Sequence, residues 1–395
     1  MYKQMKFKSD SRTHSYYAGM GDLYTPMRQK HRQALFGIIA LIATLCVLYY
    51  FESDSGHDYI SSPLTTQSGT LYGSGFRGHS NADYSRVTNA TLGFSNVFVV
   101  GLPERSDKRD ALALTSALTG FQVEFVDGVK GESVPDKAVP FKADRQSLWE
   151  NNLGSWRGHM NAVRRIVEEN LESALIMEDD MDWDVRLRAQ LEQVAMGVRI
   201  ILPSGSSSRS PYGDDWDLLW LGHCGEIFPE ALPENEGKPH HPKYTIKNDI
   251  TVAPLNKITG LVEFNKYPEF TRWVHISGAP ICTFAYALSQ KGARKVLFDL
   301  SVDHLLGAYD NALAGFCRDG ASGNRDGLQA KCVSVTPPVF FHQRAKGRVT
   351  GDSDIQKSDS GDVREKGTTE NIVWSARNNI KNMLMGLDME NQFES

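Results

Sequence analysis

The feature that most limits how this chain can fold is residues 174–184, ALIMEDDMDWD. Ala174, Leu175, Ile176 and Met177 form an unbroken apolar row that stops abruptly at Glu178, Asp179 and Asp180, with Asp182 and Asp184 just beyond. A short apolar run bounded by charge suits a strand buried on both faces in the middle of a parallel sheet. The carboxylates then fall at the C-terminal end of that strand, where open α/β sheets bind their ligands. Carboxylates crowded together repel one another unless water or a cation screens them. A hard divalent cation removes that cost and brings a phosphate-bearing substrate with it. A solvated acidic surface is the competing reading of the same residues.

Two sharper motifs fail on residue identity. An EF-hand loop begun at Asp180 needs Gly at its sixth position and Glu at its twelfth, where this chain has Val185 and Leu191. The aspartyl-phosphatase pattern, a strand into Asp-x-Asp-x-Thr or Val, would end on Asp184 or Arg186. No P-loop or Gly-x-Gly-x-x-Gly fingerprint occurs, which argues against a nucleoside triphosphatase or a dinucleotide oxidoreductase.

A formal net charge of −5 over 395 residues points to neither nucleic acid nor a polyanionic surface as partner. Residues 1–33 are rich in Lys and Arg and read as a cytosolic tail. Residues 34–51, ALFGIIALIATLCVLYYF, are uncharged and about long enough to cross a hydrocarbon core as a helix. Tyr49 and Tyr50 stand where an interfacial aromatic belt belongs, whereas a cleaved signal peptide would end in small residues. The expectation is a single-pass type II anchor in the Golgi or endoplasmic reticulum membrane, with the bulk of the chain lumenal. Residues 52–94, rich in Ser, Gly, Thr, Tyr and Asn, read as a flexible stalk, with Asn89-Ala90-Thr91 as a glycosylation acceptor. Cys46 falls in the span. Cys224, Cys282, Cys317 and Cys332 are then free to form one or two disulfides in any of three pairings, or to stay buried as thiols.

Residues 96–102, NVFVVGL, read as a strand and residues 103–107 as a loop opening a helix, with Asp107 as its cap and Gly120 closing it. Residues 121–126 return as a second strand, completing a β-α-β unit. Arg105, Lys108 and Arg109 gather where an anionic nucleotide docks on a helix N-terminus, or where an ordinary solvated helix begins. A helix over residues 154–170 carries His159 near its start, facing either the site or the core, and feeds the acidic strand. Apolar residues at helical spacing follow from Leu187 to Ile201, then a strand at 217–222 and a loop-rich stretch at 223–280. A strand at 282–288 leads to Ser289 as the cap of a helix through Leu300, with Asp303 and Asp310 beyond. Residues 333–341 form a strand broken by Pro337-Pro338 and ending in His342-Gln343-Arg344. In the polar extension from 357 to 395, residues 372–387 are amphipathic and suit a helix packed on the body.

Several of these pieces resemble, in chain order, the motifs of family 25 glycosyltransferases, the group holding bacterial lipooligosaccharide galactosyltransferases and animal collagen galactosyltransferases. VFVVGLPERSDKRD resembles the opening element of strand, Asn-Leu, Arg and Asp-Arg-Arg, and ALIMEDDMDWD the apolar strand into Glu-Asp-Asp. FAYALSQKGARKVL is similar to the Tyr-x-Leu-Ser-x-x-Gly-Ala helix, SVD to Pro-Val-Asp, and PPVFFHQRAKGRVTGDSDI to the closing Pro-Pro, Gln and Ser-Asp-Ile element. Gly101 departs from the usual Asn, and GSWRGH stands where the family has Gly-x-x-x-Ser-His.

The resemblance implies one GT-A-like α/β domain over residues 95–356, a nucleotide-sugar-binding sheet flanked by helices, below the N-terminal transmembrane helix. It implies a UDP-sugar donor, UDP-galactose commonest, and inversion at the transferred carbon. Leu102, Arg105, Asp107, Arg109, Glu178 and Asp179 would contact the donor. Asp180 is the first choice as ligand to Mn²⁺ or Mg²⁺, with Glu178 and His342 as further ligands. Asp303, at the Val-Asp motif, is the expected general base and Asp310 the reserve, a helix-cap role competing for either. The acceptor is a glycan, protein or lipid shaped by loops 128–153 and 223–280. Two other readings stand beside this one. One is a catalytically inactive, membrane-anchored adhesion or binding protein on the same scaffold. The other is a glycoside hydrolase with two carboxylates and no nucleotide.

Overall fold

Along each central strand, alternate side chains fall into one or the other of two apolar clusters, and that period of two assembles the body. The computed structural model describes residues 84–203, 205, 208–324, 327–355 and 360–394. In chain order these give β1 (Asn96–Gly101), α1 (Ser106–Leu118), β2 (Glu124–Asp127), α2 (Glu150–Glu168), β3 (Ser173–Glu178) and β4 (Met181–Trp183). Next come α3 (Leu187–Ile201), β5 (Leu218–Gly222), β6 (Lys243–Ile246), β7 (Arg272–Ile276), β8 (Ala285–Ser289), α4 (Gln290–Leu297) and α5 (Tyr309–Ser322). The chain closes with β9 (Cys332–Thr336), β10 (Phe340–Arg344), the short pair β11 (Gly347–Arg348) and β12 (Val363–Arg364), β13 (Thr368–Thr369) and α6 (Ile380–Met385).

The main sheet runs β2-β1-β3-β8-β5-β9-β7-β6. β1 is parallel to β2 and β3, so the β1 and β3 C-termini lie side by side. β8 is antiparallel to both β3 and β5, which makes the sheet mixed rather than parallel. On one face Val97, Val99, Leu175, Met177, Leu219 and Leu221 pack with Leu191, Val194 and Val198 of α3. On the other, Phe98, Val100, Ala174, Ile176, Leu218 and Trp220 pack with Trp156, Met160 and Val163 of α2 and Leu313 and Phe316 of α5. Two disulfides, Cys224–Cys282 and Cys317–Cys332, settle the pairing that the sequence leaves open.

Beyond β3 the chain turns at Asp179-Asp180 and runs back as β4, which pairs antiparallel with β10, Met181 opposite His342. Asp182 and Asp184 leave the acidic cluster here. Asp182 is fully buried and accepts from Thr369 Oγ1 (2.6 Å), the Arg377 N–H (3.0 Å) and Ser375 Oγ. Asp184, also buried, accepts from the Trp374 N–H at 3.1 Å. Arg377 returns the contact through its guanidinium to the carbonyls of Met181 (2.7 Å) and Asp179 (2.8 Å). The C-terminal segment therefore forms the underside of the acidic turn. These bonds also hold residues 371–379 out of helical conformation, so the helix expected at 372–387 shrinks to α6.

Other expectations are corrected. Residues 84–94, read as stalk, pack on the body: Val87 and Leu92 are buried, Phe94 stacks on Tyr212 at 4.6 Å, and Tyr212 OH donates to the Leu92 carbonyl. Asp107 does not cap α1; it sits in the first turn and accepts from Arg105 Nε at 2.9 Å. Ser289 does cap α4, its Oγ accepting from the Gly292 N–H. The membrane anchor expected at 34–51 lies outside the described residues, and among those described no helix is long and apolar enough to cross a membrane. The fold class is accordingly corrected, for the described residues, to a helix-flanked mixed α/β sheet with no membrane-spanning helix among them, and the single-pass membrane location is set aside.

Candidate functional site

The adjacent C-termini of β1 and β3 open onto a cleft of about 320 Å³. Leu102 lines it from the loop after β1, and Glu178, Asp179 and Asp180 line it from the end of β3. The opposite wall is the N-terminal half of α2, with Asn151, Ser155 and His159, and the closing motif supplies Ser353, Asp354 and Ile355. The wall is close-fitting because glycines let two backbones touch: a Cβ on Gly154 would lie 2.2 Å from the Val129 carbonyl oxygen.

Lys108, only 8% exposed, stands at the centre of the charges. Its Nζ lies 3.0 Å from Asp179 Oδ1, 3.8 Å from Asp180 Oδ2 and 2.7 Å from Asp354 Oδ2. Burial lowers the pKa of the ammonium, but Asp180, Asp179 and Asp354 outweigh that and hold it above its ordinary value. Asp354, 246 residues further along, also accepts from Arg105 Nη1 at 2.5 Å, so the closing motif is bolted to the start of α1 by two charged bonds. Asn151 Nδ2 adds a third attachment by donating to the Ile355 carbonyl at 3.0 Å.

The carboxylates themselves are underbonded. Asp179 Oδ2 and Asp180 Oδ1 are buried with no hydrogen-bond partner among the described residues. Burial pushes the Asp179 carboxyl up to about 6, with Lys108 pulling the other way. Burial and the neighbouring Asp180 push Glu178 up to about 8. Such a cluster favours any added positive charge. Gly101 belongs to the same arrangement, since a Cβ there would lie 2.1 Å from Asp179 Oδ2. The Asn usual at that place in family 25 has no room while Asp179 keeps this position.

The remaining expected site residues are not brought together. Arg109 bridges the Gly101 carbonyl and Asp127 Oδ1 and lies over the Phe125 ring, tying β1 to β2 rather than facing the cleft. Asp107 is largely exposed and steadies Arg105. His342 lies on β10 against the Phe284 ring; burial and Arg344 lower its pKa while Asp180 raises it. Glu178, Asp180 and His342 do not form a set with ligand atoms within 4.8 Å of one another; among the described residues that description fits Asp299, Asp303 and His304. Asp303 is exposed and pairs with His304 Nδ1 at 2.8 Å. Asp310, in the first turn of α5, accepts from the Cys282 N–H at 3.1 Å. Neither aspartate lines the cleft.

Sequence reading alone left Lys108 as one of three basic residues and gave Asp354 no role of its own. The signal for both was their presence in the two motifs at opposite ends of the resembling stretch.

No family model matches the chain. Among curated proteins it is 27% identical over 217 residues to procollagen galactosyltransferase 1 of Danio rerio, a match covering 52% of this chain and 29% of that protein. It is 25% identical over 217 residues to inactive glycosyltransferase 25 family member 3 of Homo sapiens, covering 52% of this chain and 29% of that one. A match to the probable inactive glycosyltransferase 25 family member 3 of Bos taurus, 27% identical over 163 residues, covers 38% of this chain and 25% of that protein. The chain thus spans less than a third of the length of these relatives. Over about half its own length, it is similar to glycosyltransferase family 25 proteins, both those named as transferases and those named as inactive.

Proposed function

We propose that this chain is a glycosyltransferase that takes a hexose, galactose first among the candidates, from a UDP-sugar and passes it with inversion to a glycan, protein or lipid acceptor. The observation that carries the reading is the cleft itself, which gathers Leu102, the Glu178-Asp179-Asp180 end of β3 and Asp354 from three stretches far apart in sequence. The buried, partnerless oxygens Asp179 Oδ2 and Asp180 Oδ1 are hard donors that fit Mn²⁺ or Mg²⁺. Bound there, such an ion would neutralise a diphosphate and act as a Lewis acid on the departing oxygen.

The chain's own residues divide the remaining work. Arg105 and Lys108, at the positive end of α1, offer two charges and the helix dipole to the diphosphate. Asp354 now engages both cations, so a diphosphate must share them or displace it. Glu178 lines the cleft beside Asp180 and is placed for the ribose or for the waters of the ion, whereas His342 does not line the cleft and is left out of the set. The general base is assigned to neither Asp303 nor Asp310, because neither reaches the cleft.

The test is calorimetry of the full chain with UDP and UDP-galactose, with and without Mn²⁺, followed by turnover assays. UDP binding and sugar release that disappear with EDTA, and in Asp180→Ala with its fold intact, are the expected results. Full activity in that variant, or activity indifferent to EDTA, would remove the assignment.

One observation favours a second reading, a scaffold that binds without catalysing. Lys108 already supplies a positive charge to Asp179, Asp180 and Asp354. Calorimetry showing no affinity for either Mn²⁺ or UDP selects that reading.

A further inference from the structure

His159 lines the cleft but is 1% exposed, and the elements behind it explain why. Its ring stacks on Tyr309 of α5, centroids 4.9 Å apart. Its Nδ1 lies 3.1 Å from the hydroxyl of Tyr286 on β8, and that hydroxyl lies 2.9 Å from the hydroxyl of Tyr309. Its Nε2 points the other way, 3.8 Å from Glu178 Oε1. Burial disfavours the charged form of the imidazole.

Buried hydroxyls and ring nitrogens must use their protons, and this chain of three can run in only two directions. Run from Tyr309 to Tyr286 to His159 Nδ1, each hydroxyl donates once and the ring hydrogen sits on Nε2, facing Glu178 Oε1. Run in reverse, the Tyr309 hydroxyl hydrogen has no acceptor among the described residues. The bare Nε2 lone pair then confronts an oxygen that already accepts from Thr283 Oγ1 at 3.0 Å. The first direction gives both hydroxyl hydrogens an acceptor and points the Nε2–H at a carboxyl oxygen 3.8 Å away; the second strands the Tyr309 hydrogen.

We propose that His159 is a positioning residue, held by the Tyr309–Tyr286 hydroxyl chain in the tautomer that carries its hydrogen on Nε2. In that form it aims Glu178 Oε1 and leaves Oε2 turned to the ligand. At 3.8 Å the contact is longer than a hydrogen bond, as such contacts commonly are before a ligand arrives. Thr283 and His159 together fix the Glu178 side chain from two sides, which selects the one oxygen that meets the donor. The consequence for binding rests on the UDP-sugar reading above; the tautomer does not.

The experiment is nitrogen-detected NMR of the full chain carrying ¹⁵N-histidine, paired with UDP calorimetry in the presence of Mn²⁺. Wild type is expected to show the Nε2–H form of His159 at pH 7. Tyr309→Phe keeps it, because Tyr286 still donates, whereas Tyr286→Phe turns it into a mixture. His159→Gln, whose amide nitrogen falls where Nε2 was, is expected to bind UDP within about threefold of wild type. His159→Ala is expected to lose about tenfold, the order of one hydrogen bond. An Nδ1–H tautomer in wild type, or Gln and Ala variants that bind equally, overturns the proposal. Absence of UDP binding by wild type would instead overturn the transferase reading and leave the tautomer result standing.

Discussion

Glu226, just past β5, is 1% exposed and far better bonded than the cleft carboxylates. Its Oε1 accepts from the N–H groups of Ile227 (2.9 Å), Gly278 (3.2 Å) and Ala279 (2.8 Å), and its Oε2 from Ser334 Oγ (2.5 Å). Burial nonetheless pushes it up to about 8, those bonds offsetting only part of the cost. The folded state therefore favours the protonated form. Its contribution is complete below the ordinary carboxylate value and is lost as pH rises toward 8, on the order of 1 kcal/mol per pH unit. Glu226→Gln keeps all four partners, its amide donating to Ser334, and removes the titration. Urea midpoints at pH 5, 6.5 and 8 are expected to fall more steeply for wild type than for the variant; parallel curves would show that the carboxyl titrates normally. Residue by residue, the acidic end of β3 was readable because sequence alone exposes an apolar run cut by charge. The contrast between Lys108 and Arg109 was not. Adjacent on α1, one enters the cleft and the other crosses to Asp127, and only the direction each side chain takes from the helix separates them.

At the scale of elements, strands buried on both faces were legible: β1, β3, β5 and β8 all fall where apolar runs lie. β7 was missed because Arg272 and His275 interrupt it. Arg272 is 1% exposed and survives there by pairing Nε with Asp249 at 2.7 Å and donating to the Pro337 and Pro338 carbonyls. A buried charge satisfied by partners distant in sequence leaves no local trace. The helix expected from Ser289 through Leu300 ends at Leu297, and the chain continues as a π-turn over Phe298–Asp303 that carries Asp303. The Cys317–Cys332 bridge ties α5, which carries Tyr309, to β9 across 15 residues of sequence. Replacing both cysteines by Ala is expected to lower unfolding free energy by about 3 kcal/mol, measured by urea titration under oxidising conditions. An unchanged midpoint would mean that α5 is held by packing alone.

For the whole molecule, the sheet order and the cleft depend on contacts that close very long loops. Asp182 reaches Thr369, Ser375 and Arg377, and Lys108 reaches Asp354, so the ends of the described body meet at one turn. Composition reads the last forty residues as a polar extension; their role becomes visible only when the buried carboxylates they satisfy are placed. Ending the chain after Gly367 would remove the Thr369, Ser375 and Arg377 donors to Asp182 and the Trp374 donor to Asp184, along with the buried Ile372, Val373 and Ala376, a loss of about 5 kcal/mol or more. At roughly 2–4 °C per kcal/mol, the thermal midpoint is expected to fall by more than about 10 °C. A melting curve within a few degrees of wild type would show that the segment is dispensable. The same fastening sets the order of events during synthesis. β1, α1, β3 and the acidic turn leave the ribosome early, yet β4 has no neighbour until β10 emerges and Asp182 has no donors until Thr369, Ser375 and Arg377 follow. The nascent chain therefore carries an unfinished acid cluster until Arg377 has emerged, nearly two hundred residues after the carboxylates themselves, and the pocket becomes competent only then.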